Sequence, residues 1–148
     1  SHLAGVCDVE VIDDPSCAAD LMYGPWHEVR RAVRLTPANP SAAPLTFVVS
    51  GQFYLTVHAG LIQDFPFPVC SCEACDETGT LEIERLAELI EAVTMGRFQE
   101  IFVWRHSGYD IEGFGGGWGR TDKDLRKRVE RARKRFAELG PWQPWPMR

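Results

Sequence analysis

The stretch from residue 45 to residue 65 constrains the fold more than any other. It holds three β-rich runs, 45–49, 53–57 and 61–65, separated only by Ser50-Gly51-Gln52 and by a turn at Ala59-Gly60. A three-residue connection containing glycine closes a hairpin, whereas a parallel crossover needs a dozen residues or more. Neighbouring runs here must therefore pair antiparallel. Two further segments extend this β-rich half. Residues 6–12 alternate and are rich in valine, which reads as a strand ended by Asp13-Asp14-Pro15-Ser16. Residues 27–35, with Val29, Val33 and Leu35, form a strand or a short helix that Thr36-Pro37-Ala38-Asn39-Pro40 brings to a stop.

The second half changes period. Leu81, Ile83, Leu86, Leu89, Ile90 and Val93 recur at helical spacing, with Gly96 as a C-terminal cap, which predicts a helix over about 80–96. A strand over 100–105 and an antiparallel return over 110–114 follow. A second helix is expected over 121–139, opened by a Thr121–Asp124 capping pair and stopped by Gly140-Pro141. Its buried face is Leu125, Val129, Ala132, Phe136 and Leu139. The glycine-rich stretch 113–119 lacks a Gly-Lys-Ser/Thr ending and Gly-x-Gly-x-x-Gly spacing, so it is expected to be a flexible connection or lid, not a phosphate cradle. Trp142 and Trp145 in the tail are expected to lie against the body.

These elements predict an α+β fold: a mostly antiparallel sheet of about five strands packed against two main helices. A chain of 148 residues, 45% hydrophobic and 25% charged, can bury such a core without a staple, so one domain is expected across 1–148. Ser1-His2 reads as the remnant of a cleaved tag. The sequence contains no apolar run of membrane-spanning length. Five cysteines, three of them within six residues, suit a reducing compartment, and a cytoplasmic location is expected. The net charge of −5 weighs against nucleic acid as a partner of the whole domain.

Cys70, Cys72 and Cys75 are the chemically distinctive residues. Three thiols this close can converge on a tetrahedral zinc ion, which takes four sulfur or nitrogen ligands. The fourth ligand must come from elsewhere. His58, at the end of the hairpin, is the first choice, with His27, His106, Cys7 and Cys17 as alternatives. A second reading uses Cys72 and Cys75 as a redox pair ahead of the first helix, whose N-terminus favours thiolate. Glu73, Asp76 and Glu77 oppose it by surrounding the thiols with negative charge. A third reading leaves the three as ordinary packed thiols.

The predicted helix 121–139 carries eight basic residues against four acidic ones, a balance of +4. Such a face is commonly solvated and laced with ion pairs, but it also attracts phosphate backbones or acidic partners. Arg126, Arg133, Phe114 and Trp118 are the residues placed to meet a partner. His106, Tyr109 and Asp110 gather near a turn beside Arg105, but no nucleophile motif accompanies them and no catalytic role is assigned.

The run from Val33-Arg34-Leu35-Thr36-Pro37 to Ala43-Pro44-Leu45-Thr46 resembles a bacterial, chiefly actinobacterial, family of uncharacterised domains. Cys70-Ser71-Cys72-Glu73-Ala74-Cys75-Asp76-Glu77 is similar to that family's Cys-Gly-Cys-Asp-Ala-Cys-Asp-Glu motif, and Arg85-Leu86 and Gly96-Arg97-Phe98 fit its helix and exit turn. Ser71 and Glu73 depart from the motif without removing a sulfur. The resemblance draws attention to the thiols and implies no activity. The function expected from the sequence is a non-enzymatic, cytosolic domain that binds another protein, stabilised by zinc at the cysteine cluster. Two alternatives stay open: a thiol–disulfide oxidoreductase using Cys72 and Cys75, and a binder of nucleic acid or an acidic partner through helix 121–139. Zinc is the only cofactor expected, and no membrane is expected among the partners.

Elemental analysis of freshly reduced protein tests the metal. The zinc reading expects about one zinc per chain, with three thiols shielded until a chelator is added. No metal and five reactive thiols would leave packing or redox chemistry.

Overall fold

The computed structural model describes residues 2–25, 27–52, 54–67, 79–112 and 115–148, with 79 and 80 described by backbone alone. A short helix, α1 (His2–Val6), leads into β1 (Val9–Asp13), a 3-10 helix (Pro15–Asp20), β2 (Val29–Pro37), β3 (Leu45–Ser50), β4 (Tyr54–Ala59) and β5 (Gln63–Phe67). These five strands form one antiparallel sheet in sequential order. The helix α2 (Gly79–Thr94) then crosses to a second antiparallel sheet of β6 (Phe98–Val103), β7 (His106–Ile111) and β8 (Gly115–Arg120). A 3-10 turn (Lys123–Leu125) opens into α3 (Arg126–Leu139), and the tail follows.

The α+β class and an antiparallel sheet of five strands are as expected, but a second sheet is not. The structure has five strands in one sheet and three in another. The missed strand is β8. Glycine has poor strand propensity, so Gly115–Arg120 carries no pattern of its own and reads as a loop. It is held by register instead, from Ile111 opposite Gly115 to His106 opposite Arg120. The Tyr109 ring lies across Gly117, 2.7 Å from where a Cβ would stand, so a side chain there would displace the ring. The expected lid at 115–119 is thus a paired strand, while 113–114 lie outside the described residues.

Two boundaries and one buried position also differ. Residue 6 ends α1, so the first strand starts at Val9. Thr121 does not cap the last helix: its N–H bonds to the Arg105 carbonyl at 2.8 Å, which keeps it in the sheet. Asp122 caps the 3-10 turn instead, its carboxylate accepting from the Asp124 N–H at 3.0 Å. In α2, Ile83 is 68% exposed although it was expected in the apolar stripe. It sits six residues before Leu89 and so about 240° round the helix.

The five-stranded sheet has two unlike faces. Leu35, Leu45, Val57, Ala59 and Phe67 point to one side and pack with Leu89, Ala92 and Val93 of α2, with Phe98 of β6, and with Trp142 and Trp145 of the tail. Burying each of the larger of these side chains contributes about 1.5–3 kcal/mol. On the other face, Cys17, Ala18 and Leu21 of the 3-10 segment cover Ala32 and Val48. The tail docks as expected, with the Trp145 indole donating to the Ala43 carbonyl at 2.8 Å.

One charged group lies inside the main core. Glu100 on β6 is 4% exposed. Its carboxylate accepts from the Leu61 N–H at 3.0 Å, the Ile62 N–H at 2.8 Å and the Trp142 indole at 3.0 Å. Gly60 has φ +66, and a Cβ there would stand 2.6 Å from Glu100 Oε2, so the turn and the carboxylate require glycine. Burial pushes the Glu100 carboxyl up to about 7, against the opposing pull of its three donors.

Glu100→Ala strands three donors in the core and is expected to cost roughly 3 kcal/mol or more in denaturant melts. Because the folded carboxyl titrates higher than an unfolded one, the folded state holds the extra proton. Its contribution is complete below the ordinary carboxyl range and is lost as pH rises through about 7. The slope is at most ~1.4 kcal/mol per pH unit. Glu100→Gln should remove this component, and identical pH profiles for the two proteins would refute it.

Candidate functional site

The second face of the large sheet carries a polar row. Strand register sets Arg34 of β2 opposite Thr46 of β3, Thr46 opposite His58 of β4, and His58 opposite Asp64 of β5. Because side chains alternate along a strand, all four share a face, the one opposite Leu35, Leu45 and Val57. Thr46 and His58 are buried, at 2% and 5% exposure. His58 Nδ1 lies 2.6 Å from Asp64 Oδ1, while Asp64 Oδ2 accepts the Met22 and Tyr23 N–H groups at 2.9 and 3.1 Å. Asp64 therefore anchors both the imidazole and the segment after the 3-10 helix.

Asp20, the last residue of that 3-10 helix, covers the other end of the row. It receives Nε and Nη2 of Arg34, both at 2.7 Å, and the Thr46 hydroxyl at 2.6 Å. Burial pushes the Asp20 carboxyl up, but the Arg34 and Thr46 hydrogen bonds and the Arg34 charge hold it below the usual range. Arg128 reaches in from α3 and donates to the carbonyls of Asp20 and Leu21. Among the described residues no carboxylate forms an ion pair with it. Arg34, Thr36, His58, Leu61 and Arg128 border a cavity of about 250 Å³.

A larger groove of about 680 Å³ runs between the β6–β7 turn and α3. Trp104, Arg105 and His106 form one wall, and Arg126, Val129, Glu130 and Arg133 the other. Trp104 is 79% exposed, and the Arg105 guanidinium lies over its ring at 4.4 Å. Arg105 adopts φ +60, a left-handed conformation rare for residues other than glycine. Trp118 stacks on His106 beside the groove, ring centroids 5.4 Å apart. Arg133 is bonded to Glu130 at 3.0 and 2.5 Å, whereas the Arg126 Nε is buried with no hydrogen-bond partner among the described residues.

Of the residues singled out from the sequence, Arg126 and Arg133 come together on the groove, seven positions apart on one helix face, with Trp118 flanking it. Phe114 and the three cysteines, Cys70, Cys72 and Cys75, lie outside the described residues. Among the described residues no trio of His, Cys, Asp or Glu is grouped to hold a metal. His58, the first choice as fourth ligand, is engaged by Asp64 through Nδ1. Of the alternatives, Cys7 and Cys17 are buried, His27 stacks on Tyr54 and His106 on Trp118. Tyr109 packs edge-on against Phe65 in the core.

Asp20, Arg34, Thr46, Asp64, Glu100 and Arg128 were not anticipated. A signal for two of them exists: Thr46 is a polar position among apolar residues of β3, and Arg34 falls on the same alternate positions of β2. The partnership itself depends on register between four strands, which no local pattern encodes.

The fold and the polar row define an α+β domain with two sheets and an internal hydrogen-bonded site. The chain belongs to the Family of unknown function (DUF6226), whose model matches residues 1–148. Comparisons with curated proteins and with solved structures find no match. No helix is long and apolar enough to cross a membrane, among the described residues.

Asp64→Ala removes the acceptor of three donors and is expected to lower stability by about 2–4 kcal/mol, against about 1 kcal/mol for Thr46→Val. Denaturant titration of both proteins checks the order, and equal losses would contradict the anchoring role of Asp64.

Proposed function

We propose that this domain is a non-enzymatic binding module that takes an acidic segment of a partner protein into the groove between the β6–β7 turn and α3. The observation that carries this reading is the composition of the groove: an exposed tryptophan beside three arginines, one of them with a buried, unpartnered Nε. Surfaces that recognise partners favour Trp and Arg, because both bring large contact area or directional donors at modest entropic cost. An acidic side chain entering beside Arg126 would supply the acceptor that Nε lacks. The left-handed Arg105 fits this reading, since such strain is commonly retained where a turn must present particular side chains.

The same arrangement favours an acidic protein over nucleic acid. The positive charge on α3 is interrupted by Arg133–Glu130 and Arg135–Glu138 pairs, and Arg128 points inward. No continuous basic track is left to follow a phosphate backbone. A zinc ion at Cys70, Cys72 and Cys75 suits a module of this kind. It would pin the exit of β5 to the start of α2, a structural role with closed coordination. The thiol–disulfide reading finds no comparable support outside the cysteine spacing.

The test is titration of the full chain with a poly-glutamate peptide, followed by tryptophan fluorescence. Saturable binding is expected, weakened at least tenfold by the double substitution Arg126→Glu and Arg133→Glu and reduced by salt. Arg105→Gly relieves the left-handed turn while deleting a cation, so it should keep the fold and still lose affinity. Affinity unchanged by charge reversal sinks the proposal. Tighter binding to a single-stranded oligonucleotide with the same arginine dependence would replace it with the nucleic-acid reading.

A further inference from the structure

We infer that the cavity at the polar row is a binding site for a small oxyanion, a phosphate or carboxylate group, held by Arg34, His58 and Arg128. This stands independently of the groove. The argument starts from which polar atoms are already committed. Both nearby aspartates already accept three donors each: Asp20 takes two N–H groups of Arg34 and the Thr46 hydroxyl, and Asp64 takes the imidazole and two backbone N–H groups. The cationic side keeps free capacity. Arg34 uses Nε and Nη2 on Asp20, which leaves Nη1. Arg128 uses Nη1 and Nη2 on backbone carbonyls, which leaves Nε. His58 uses Nδ1 on Asp64, and its Nε2 becomes a donor to an oxyanion when the ring carries both protons. All three side chains border the one cavity.

The geometry of these commitments is that of a prepared site. Asp20 fixes the Arg34 guanidinium through two parallel bonds, and Asp64 fixes the imidazole plane, so neither has to be ordered by a ligand. Arg128 is the distinctive member. Among the described residues its guanidinium bonds to carbonyl dipoles and to no carboxylate, a partial compensation that an anion would complete. Two guanidinium groups beside the imidazole make the cavity unfavourable for a metal cation, so the inference removes His58 from the candidate zinc ligands. The remaining wall of this cavity of about 250 Å³ is Thr36, Pro44, Gly60 and Leu61, together with Thr46 and Asp20, whose carboxylate is already engaged by Arg34 and the Thr46 hydroxyl. That volume is roughly eight water molecules. It admits an oxyanion with a short aliphatic portion and excludes a macromolecule.

Calorimetric titration of the full chain with inorganic phosphate, and separately with succinate, tests this, with chloride at matched ionic strength as the reference. One saturable site is expected for at least one probe, accompanied by a rise in melting temperature of about 2 °C or more near saturation. Which probe binds assigns the class. Arg128→Met should weaken that binding at least tenfold, and Lys134→Met, on the exposed surface of α3, should not. Should Arg128→Met fail to fold for want of its bonds to the 3-10 segment, Thr36→Leu carries the test, because it narrows the cavity without touching a bond of the row. His58→Gln should weaken the anion and leave any zinc content unchanged. Heats that merely follow ionic strength, affinity retained in a folded Arg128→Met or Thr36→Leu chain, or zinc lost in His58→Gln would each overturn the assignment.

Discussion

The architecture depends on a carboxylate placed where no carboxylate is cheap to place. Glu100 joins three parts of the chain distant in sequence: the β4–β5 turn through Leu61 and Ile62, the tail through Trp142, and the small sheet through β6 itself. Apolar packing alone would let the two sheets slide, since hydrophobic contact is non-directional. A buried carboxylate with three donors admits one arrangement, because any shift leaves an unpaired polar group in the core. The cost is visible in the proton affinity, with the carboxyl pushed up to about 7 by its burial. Gly60 is a consequence, since the carboxylate occupies the space a side chain would need.

Fixing the sheets in this way releases the far face of the large sheet for polar chemistry. The main core takes one side of β2, β3, β4 and β5, and the 3-10 helix takes the other, where Arg128 of α3 reaches its last turn. The second cover is thin. Cys17, Ala18 and Leu21 pack over Ala32 and Val48, and the space beyond them is filled by ion pairs and hydrogen bonds. A cavity can persist there because its lining is held by charge-assisted bonds and does not rely on close packing.

The sequence discloses this protein unevenly, and the division follows physics. The β3–β4 hairpin, α2 and the docking of Trp142 and Trp145 rest on local spacing, turn residues or the cost of exposing large rings, and all are legible. The strand β8 is not, because its glycines contribute no preference and its pairing is imposed by β7 and the Tyr109 ring. The start of α3 is misread for a related reason: Thr121 looks like a cap, but the Arg105 carbonyl has already claimed its N–H. At the polar row the parity of Arg34, Thr46 and His58 is present in the sequence. What joins them is a register shared by four strands, and the acids that complete the row come from β5 and from a 3-10 helix that local patterns leave open.

The helix α3 shows how little apolar burial a functional element can stand on. Of its residues only Ala132 is fully buried, and the rest of its docking uses Val129 near Met22 and Ile62, and Phe136 against Phe102 and Trp142. Arg128 adds two bonds to the carbonyls of the 3-10 segment. Positions 126 and 133 are two turns apart and face the groove, whereas 128 lies about 200° round from 126 and faces the cavity. One helix thus supplies cations to two sides of the molecule because it does not spend its surface on the core. A helix buried more deeply would be held more firmly, but its arginines would then need carboxylate partners within the fold, and neither site would keep a donor free for a ligand.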